Sequence, residues 1–308
     1  MPRVSVVLPV FNGAPFLSQA IDSILRQTFA DLELLVVDDA STDESTEVVR
    51  SFGDPRIRLI MNETNLGLPA TLNVGLEAAV GEFIARQDQD DVALPDRLAK
   101  QVLRMDANTA LGLLGTWAVI LTEDPNGDWE PSGEHRHPAD DASLRLRLFW
   151  NSPFVHSTVM MRASVVRAAG GYATEPVRVL PEDYDLWTRI ANAAEIGNVP
   201  EALQWYRQTS TGLSRVQAEA VREGVDRIAC ARLRAAVPSR ISDATVAQVV
   251  RALNGRNELR RGAKEMIVWS RALLAAAHSI NSRKGMAYRR ELTIAWLRLM
   301  RNSRRTGA

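Results

Sequence analysis

Four short runs of strand-forming residues recur through the first hundred positions: Val4 to Val10, Leu32 to Val37, Ile57 to Met61, and Phe83-Ile84-Ala85. The stretches between them carry apolar residues at helical spacing. Leu17, Ala20, Ile21, Ile24 and Leu25 form one such face, and Pro69 to Val80 is another helix with proline near its first turn. Ser41-Thr42-Asp43 are helix-capping residues for a helix through Val49, and Pro95-Asp96-Arg97-Leu98 opens a further helix. Parallel neighbours need long crossovers, so this alternation restricts the chain to an α/β fold with a mostly parallel central sheet flanked by helices. Ligands of open α/β sheets bind outside the carboxyl ends of the strands. Asp38-Asp39 and Asp88-Gln89-Asp90-Asp91 fall at two such ends.

Beyond residue 105 the pattern loosens. Leu113 to Leu121, Ser157 to Met161 and Ala202 to Tyr206 read as strands, with a helix from Tyr184 to Ala193. Thr122 to Asp141 is polar and rich in proline and glycine, and is expected to be a loop over the site. From about Val216 the chain becomes helical and arginine-rich. Charge divides at the same place: residues 1–215 carry 18 Lys+Arg against 30 Asp+Glu (net −12), and residues 216–308 carry 19 against 7 (net +12). The expected organisation is a domain over 1–215, in halves over 1–105 and 106–215, followed by a basic α-helical extension over 216–308.

Cys230 is the single cysteine, so no disulfide framework or cysteine metal site forms within one chain, and a reducing compartment is expected. The N-terminus is too short and strand-like for a signal peptide, and no run of 18 apolar residues predicts a spanning helix. The expected location is cytoplasmic.

Hard divalent cations take oxygen ligands, and Mg2+ uses one or two carboxylates with substrate phosphates. Asp88 to Asp91 suits that role with a nucleoside diphosphate, although a short acidic run also suits a solvated turn. A carboxylate at Asp39 can accept hydrogen bonds from a base or ribose, or cap the following helix.

The motifs VSVVLPVFNG, LELLVVDDASTDES, NETNLGLPATLNVGL, GEFIARQDQDDVALPDRL, FVHSTVMMR and LPEDYDLWTRIA together resemble family 2 glycosyltransferases of the GT-A fold. The resemblance runs from Val4 to about Ser214. It implies an inverting transferase moving one sugar from a nucleotide-sugar donor, UDP-linked by default, to a saccharide or lipid-linked saccharide acceptor. It also implies that Pro9, Phe11 and Asp39 line the base pocket and that Asp88 and Asp90 form a D-x-D motif, with Asp90 as ligand of Mn2+ or Mg2+. Asn65, Gly67 and Arg86 would be further nucleotide contacts.

Glu182-Asp183 matches the family's ED pair, with Asp183 as general base. Inversion requires one carboxylate to take the acceptor's proton as its oxygen attacks the anomeric carbon. Acids at a helix N-terminus are also favoured by the helix dipole alone. His156, Asp91, Arg207 and Arg215 are expected near the acceptor or phosphates. Many members carry a histidine shortly after Tyr-Arg, where this chain has Thr209. Gln204-Trp205-Tyr206-Arg207-Gln208 matches the Q-x-x-R-W motif of processive members only in part, which favours single-sugar transfer.

Two rivals differ in class. A nucleotidyltransferase would want a glycine-rich phosphate loop with Lys or Arg after the first strand, where this chain has Phe11-Asn12-Gly13-Ala14-Pro15. A non-catalytic sugar-nucleotide or interaction module is the other. No G-x-G-x-x-G follows the first strand, which excludes Rossmann dinucleotide binding.

Residues 281–305 interleave arginines with Met286, Tyr288, Trp296 and Leu297. That pattern fits peripheral contact with the inner face of a membrane, and equally a core-packing helix with a solvated basic face. No recognition motif supports nucleic-acid binding.

Overall fold

The structure, a computed structural model, describes residues 1–175, 181–209, 212–256, 263–280 and 285–302. The chain forms two compact units, one of Met1–His137 with Phe154–Val216 and one of Pro138–Pro153 with residues 217–308.

The first unit is built in chain order from β1 (Val4–Val10), α1 (Ala14–Leu25), β2 (Leu32–Asp38), α2 (Ser45–Ser51), β3 (Ile57–Met61), α3 (Leu68–Ala78) and β4 (Phe83–Arg86). Then come β5 (Val92–Ala93), α4 (Arg97–Ala107), β6 (Leu111–Glu123) and β7 (Trp129–His135). Helix α5 (Asp141–Arg147) lies in the second unit, and the first resumes with β8 (Met160–Arg162), α6 (Ala163–Ala168), α7 (Glu182–Ala193), β9 (Glu195–Arg207) and α8 (Leu213–Val216).

Among the described residues nine strands make one sheet, ordered β3-β2-β1-β4-β8-β6-β9-β5, with β7 paired to β6. The first four strands are parallel. Beyond β4 the sheet is mixed: β8 is antiparallel to both β4 and β6, β9 is parallel to β6, and β5 and β7 are antiparallel additions. Every residue of β1 and β2 is buried, which is why these strands read as mainly apolar runs, interrupted by Ser5 and Glu33. Leu17, Ala20, Ile21 and Ile24 of α1 are fully buried in the same core as Val4, Val6 and Leu8, each such leucine, isoleucine or valine contributing about 1.5–3 kcal/mol. Helix α3 comes so near the sheet that a Cβ at Gly75 would lie 2.4 Å from Val7 Cγ1.

Three expectations change. The stretch from Thr122 to Asp141 is not simply a loop, because β6 runs on to Glu123 and β7 returns antiparallel beside it. Of Ser157–Met161, the first part is a 3-10 turn over His156–Thr158, and the strand begins at Met160. Ser41 and Thr42 do not cap α2. Ser41 Oγ accepts from Asn12 N (3.0 Å) and Thr42 N donates to Asn12 Oδ1 (2.8 Å), which ties the β2–α2 loop to the loop after β1.

The second unit joins α5 to α9 (Ala218–Ala236), α10 (Asp243–Leu253), α11 (Ala263–Ser279) and α12 (Met286–Asn302). Leu144, Leu146, Trp150, Val249, Leu253, Trp269, Leu273 and Leu299 are buried there. Arg147 on α5 pairs with Glu291 on α12 at 2.9 Å, and Asn254 Nδ2 donates to the Trp150 carbonyl at 2.8 Å. Residues 138–153, within the half expected over 106–215, belong to this unit.

Candidate active site

Asp39, at the end of β2, is buried, and its carboxylate accepts from Asn62 Nδ2 (2.8 Å), Leu66 N (2.8 Å) and Gly67 N (2.9 Å). It therefore organises the β3–α3 loop and does not cap α2. Gly67 has φ +82°, a backbone region open to glycine. Asn65 Nδ2 donates to the Asp39 carbonyl at 3.3 Å, which brings that predicted residue into the same cluster. Pro9 is buried in β1, and Phe11 just beyond it is exposed.

Gln89 joins this corner to the acidic loop. Its Oε1 accepts from Phe11 N (2.9 Å) and its Nε2 donates to the Phe11 carbonyl (3.3 Å), a reciprocal amide pair between the two loops. A Cβ at Gly13 would stand 2.5 Å from that Oε1.

The acidic loop divides by burial. Arg86, wholly buried at the end of β4, bonds the Gln87 carbonyl and pairs with Asp88 at 2.6 Å. Asp88 and Asp90 keep partial exposure. Burial, and then the neighbouring Asp88 charge, push the Asp90 carboxyl up to about 6. Asp91 faces inward, fully buried, accepting from Ser157 Oγ and from Arg207 N at 2.9 Å. Burial holds its carboxyl well above the usual range. Asp91 thus pins the loop from behind.

Arg207 is also spent on structure. Its guanidinium donates to the Asp90 carbonyl (2.7 Å) and to Gln19, and it lies over the rings of Phe16 (5.2 Å) and Trp129 (5.6 Å). Arg207 thus clamps the acidic loop from beneath. Arg97 backs the same loop, fully buried and bonded to the Ser157 carbonyl (2.7 Å) and Gln204 Oε1 (2.8 Å). Arg215 is exposed in α8, and its charge opposes the upward shift of the Tyr206 phenol.

The third cluster gathers around α7. His156 lies 3.5 Å from Glu182 through Nδ1 and 2.9 Å from the Tyr172 hydroxyl through Nε2, with its ring edge-on to Trp187 at 5.8 Å. Asp183 accepts from Tyr184 N at 2.7 Å in the first turn of α7. Burial pushes its carboxyl up to about 6 against the opposing pull of His156, with Glu182 adding to the rise. Arg86 feels the charges of both Asp88 and Glu182, so this cluster and the acidic loop share one electrostatic environment. Tyr172 escapes sequence reasoning because it sits in a Gly-Gly-Tyr turn outside the quoted motifs; its buried ring beside His156 reveals it.

Among the described residues no group of three or more histidine, cysteine, aspartate or glutamate side chains is arranged to hold a metal ion. The Asp88–Asp90 pair fits the other mode of binding, in which one or two carboxylates act with substrate phosphates. Two partly exposed carboxylates, with Asp90 raised by burial and then by the Asp88 charge, are a suitable donor set for a cation.

Residues 5–169 match the model of glycosyl transferase family 2. The chain belongs to that family. Family members similar to it include EpsE of Bacillus subtilis (strain 168), which bears a glycosyltransferase name and is 35% identical over 219 residues, 70% of this chain and 76% of that one. WfgD of Escherichia coli, named a UDP-Glc:alpha-D-GlcNAc-diphosphoundecaprenol beta-1,3-glucosyltransferase, is 38% identical over 117 residues, 38% of this chain and 46% of that one. Among solved structures, S. aureus TarS 1-349 in complex with UDP-GlcNAc superposes with a TM-score of 0.62 at 20% identity, covering 99% of this chain and 90% of that one. That last likeness is one of fold, and the fold of this family member is GT-A. The chain is a glycosyltransferase.

Proposed function

We propose that the chain transfers a single sugar, with inversion, from a nucleotide-sugar donor to a hydroxyl of a saccharide or lipid-linked saccharide. The observation that carries this reading is Asp183: a carboxylate raised to about 6 at the head of α7, in one electrostatic environment with Arg86 and the acidic loop. A general base works best with a pKa near the operating pH, and burial supplies that shift. Asp183 takes the proton of the acceptor hydroxyl as its oxygen attacks the anomeric carbon. Glu182 and His156 hold the first turn of α7 in position, and Tyr172 fixes the far side of the imidazole.

Asp39, Phe11 and the Asn62–Gly67 loop receive the base and ribose, and Arg86 holds Asp88 toward the diphosphate. Asp88 and Asp90 are the residues that would hold Mn2+ or Mg2+. The chemistry such a cation supplies when bound is neutralisation of the charge on the departing nucleoside diphosphate. UDP is the expected nucleotide, in keeping with the UDP-Glc in the name of WfgD and the UDP-GlcNAc in the TarS complex. A diphosphate-lipid acceptor, as in the name of WfgD, would place the reaction at the cytoplasmic face of a membrane.

The test is a thermal-shift panel of UDP-, dTDP- and GDP-sugars with Mn2+ or Mg2+ on the wild type and on Asp90→Ala. A ligand that binds the native state raises the midpoint. A cation-dependent shift with one nucleotide class, lost in Asp90→Ala, is the expected result. A shift unaffected by the cation or by Asp90→Ala would overturn the metal assignment, and no shift with any donor would overturn the donor class.

A further inference from the structure

On α11, Ile267, Arg271, Leu274 and His278 recur at helical spacing along one exposed face, with Ile267 53% and Leu274 46% exposed. On α12 the exposed residues include Met286, Arg289, Arg290, Trp296 and Leu297, while Tyr288, Ala295 and Leu299 turn inward. The indole N–H of Trp296 donates to Ser270 Oγ at 3.3 Å, so the two helices meet where their exposed apolar side chains lie.

Among the described side chains the charge around this surface is mainly positive. Arg271, Arg289, Arg290 and Arg298 are exposed. Among the described side chains of these two helices the acid is Glu291, and it is paired with Arg147. In sequence, Arg283 and Lys284 precede α12 and Arg304 and Arg305 follow it, outside the described residues. Large exposed apolar groups fringed by arginine, with no unpaired acid among the described side chains, match the chemistry of a helix lying in the headgroup layer of an anionic bilayer. A large exposed apolar side chain beside guanidinium groups finds both its partners there, acyl chain below and phosphate above. No helix among the described residues is long and apolar enough to cross a membrane.

We propose that the α11–α12 face docks the enzyme on an anionic lipid surface. This goes beyond the sugar-transfer reading and does not rest on it.

Co-sedimentation of the full chain with phosphatidylcholine vesicles, with and without phosphatidylglycerol, tests the proposal. The chain is expected to pellet with the anionic vesicles, to release as salt rises, and to stay in solution with the neutral ones. Arg289→Glu with Arg290→Glu is expected to weaken the partition by about tenfold or more, and Trp296→Ser with Leu297→Ser to weaken it as well. Both variants should keep the wild-type circular-dichroism spectrum and the same rate of donor hydrolysis without vesicles, a readout whose failure bears on the catalytic reading alone. Equal pelleting of wild type and folded variants, pelleting with neutral vesicles to the same extent, or wild-type self-association abolished by the same substitutions would overturn it.

Discussion

At the scale of single residues the site is a set of carboxylates sorted by surroundings. Asp183→Asn is expected to lower kcat by roughly 10²- to 10⁴-fold, the usual worth of a general base, with donor binding retained; steady-state kinetics and the thermal shift read the two separately. Only the deprotonated form can accept a proton, so the rate should fall as pH drops below about 6. The same shift has the opposite sign for stability. The native carboxyl binds its proton more tightly than the unfolded one, whose ordinary value is 3.8, so this group's contribution to stability declines as pH rises from there through about 6. At Asp39, replacement by Ala leaves Asn62, Leu66 and Gly67 without their acceptor. A loss of about 1–3 kcal/mol on urea unfolding is expected, together with weaker nucleotide binding.

At the scale of elements, close approach decides what is tolerated. Gly75→Ala drives a Cβ into Val7 on β1 and should cost about 1–3 kcal/mol as overpacking. Gly67→Ala meets open space but a φ of +82° with ψ 158°, a region essentially restricted to glycine, and about 1–3 kcal/mol is expected from backbone strain alone. Denaturant midpoints of the two variants check both values. The elements that packing dictates were the legible ones: β1 and β2 are buried on both faces and announce themselves as apolar runs. Strand β7 was not legible, because Trp-Glu-Pro-Ser-Gly-Glu-His is mostly exposed and has no alternation to read. Pro131 is tolerable there because edge strands leave one row of N–H groups unpaired. The same blindness applied within the acidic loop. Sequence brings Asp88, Asp90 and Asp91 together, but it takes the register of β5 on β9, with Trp205 opposite Val92 and Gln204 opposite Ala93, to turn Asp91 inward and make Arg207 its clamp. His156 could be found from its motif, whereas Tyr172, which fixes it, has no local signal.

At the scale of the molecule, the two units each bury their own apolar side chains. Calorimetry of the full chain is expected to depart from a single two-state transition, with the calorimetric enthalpy exceeding the van't Hoff value. A nucleotide with its cation should raise the transition of the unit that holds Asp39 and Asp90 and leave the other unmoved. Gln89 gives that unit a further property. It stands between Asp88 and Asp90 in sequence while its amide is locked to both backbone groups of Phe11, so the cation corner and the base corner cannot adjust independently. Linkage then works in both directions: whatever factor the cation adds to the affinity for the nucleoside, the nucleoside must return to the affinity for the cation. Freeing that amide, as in Gln89→Ala, would leave two sites that bind without informing each other.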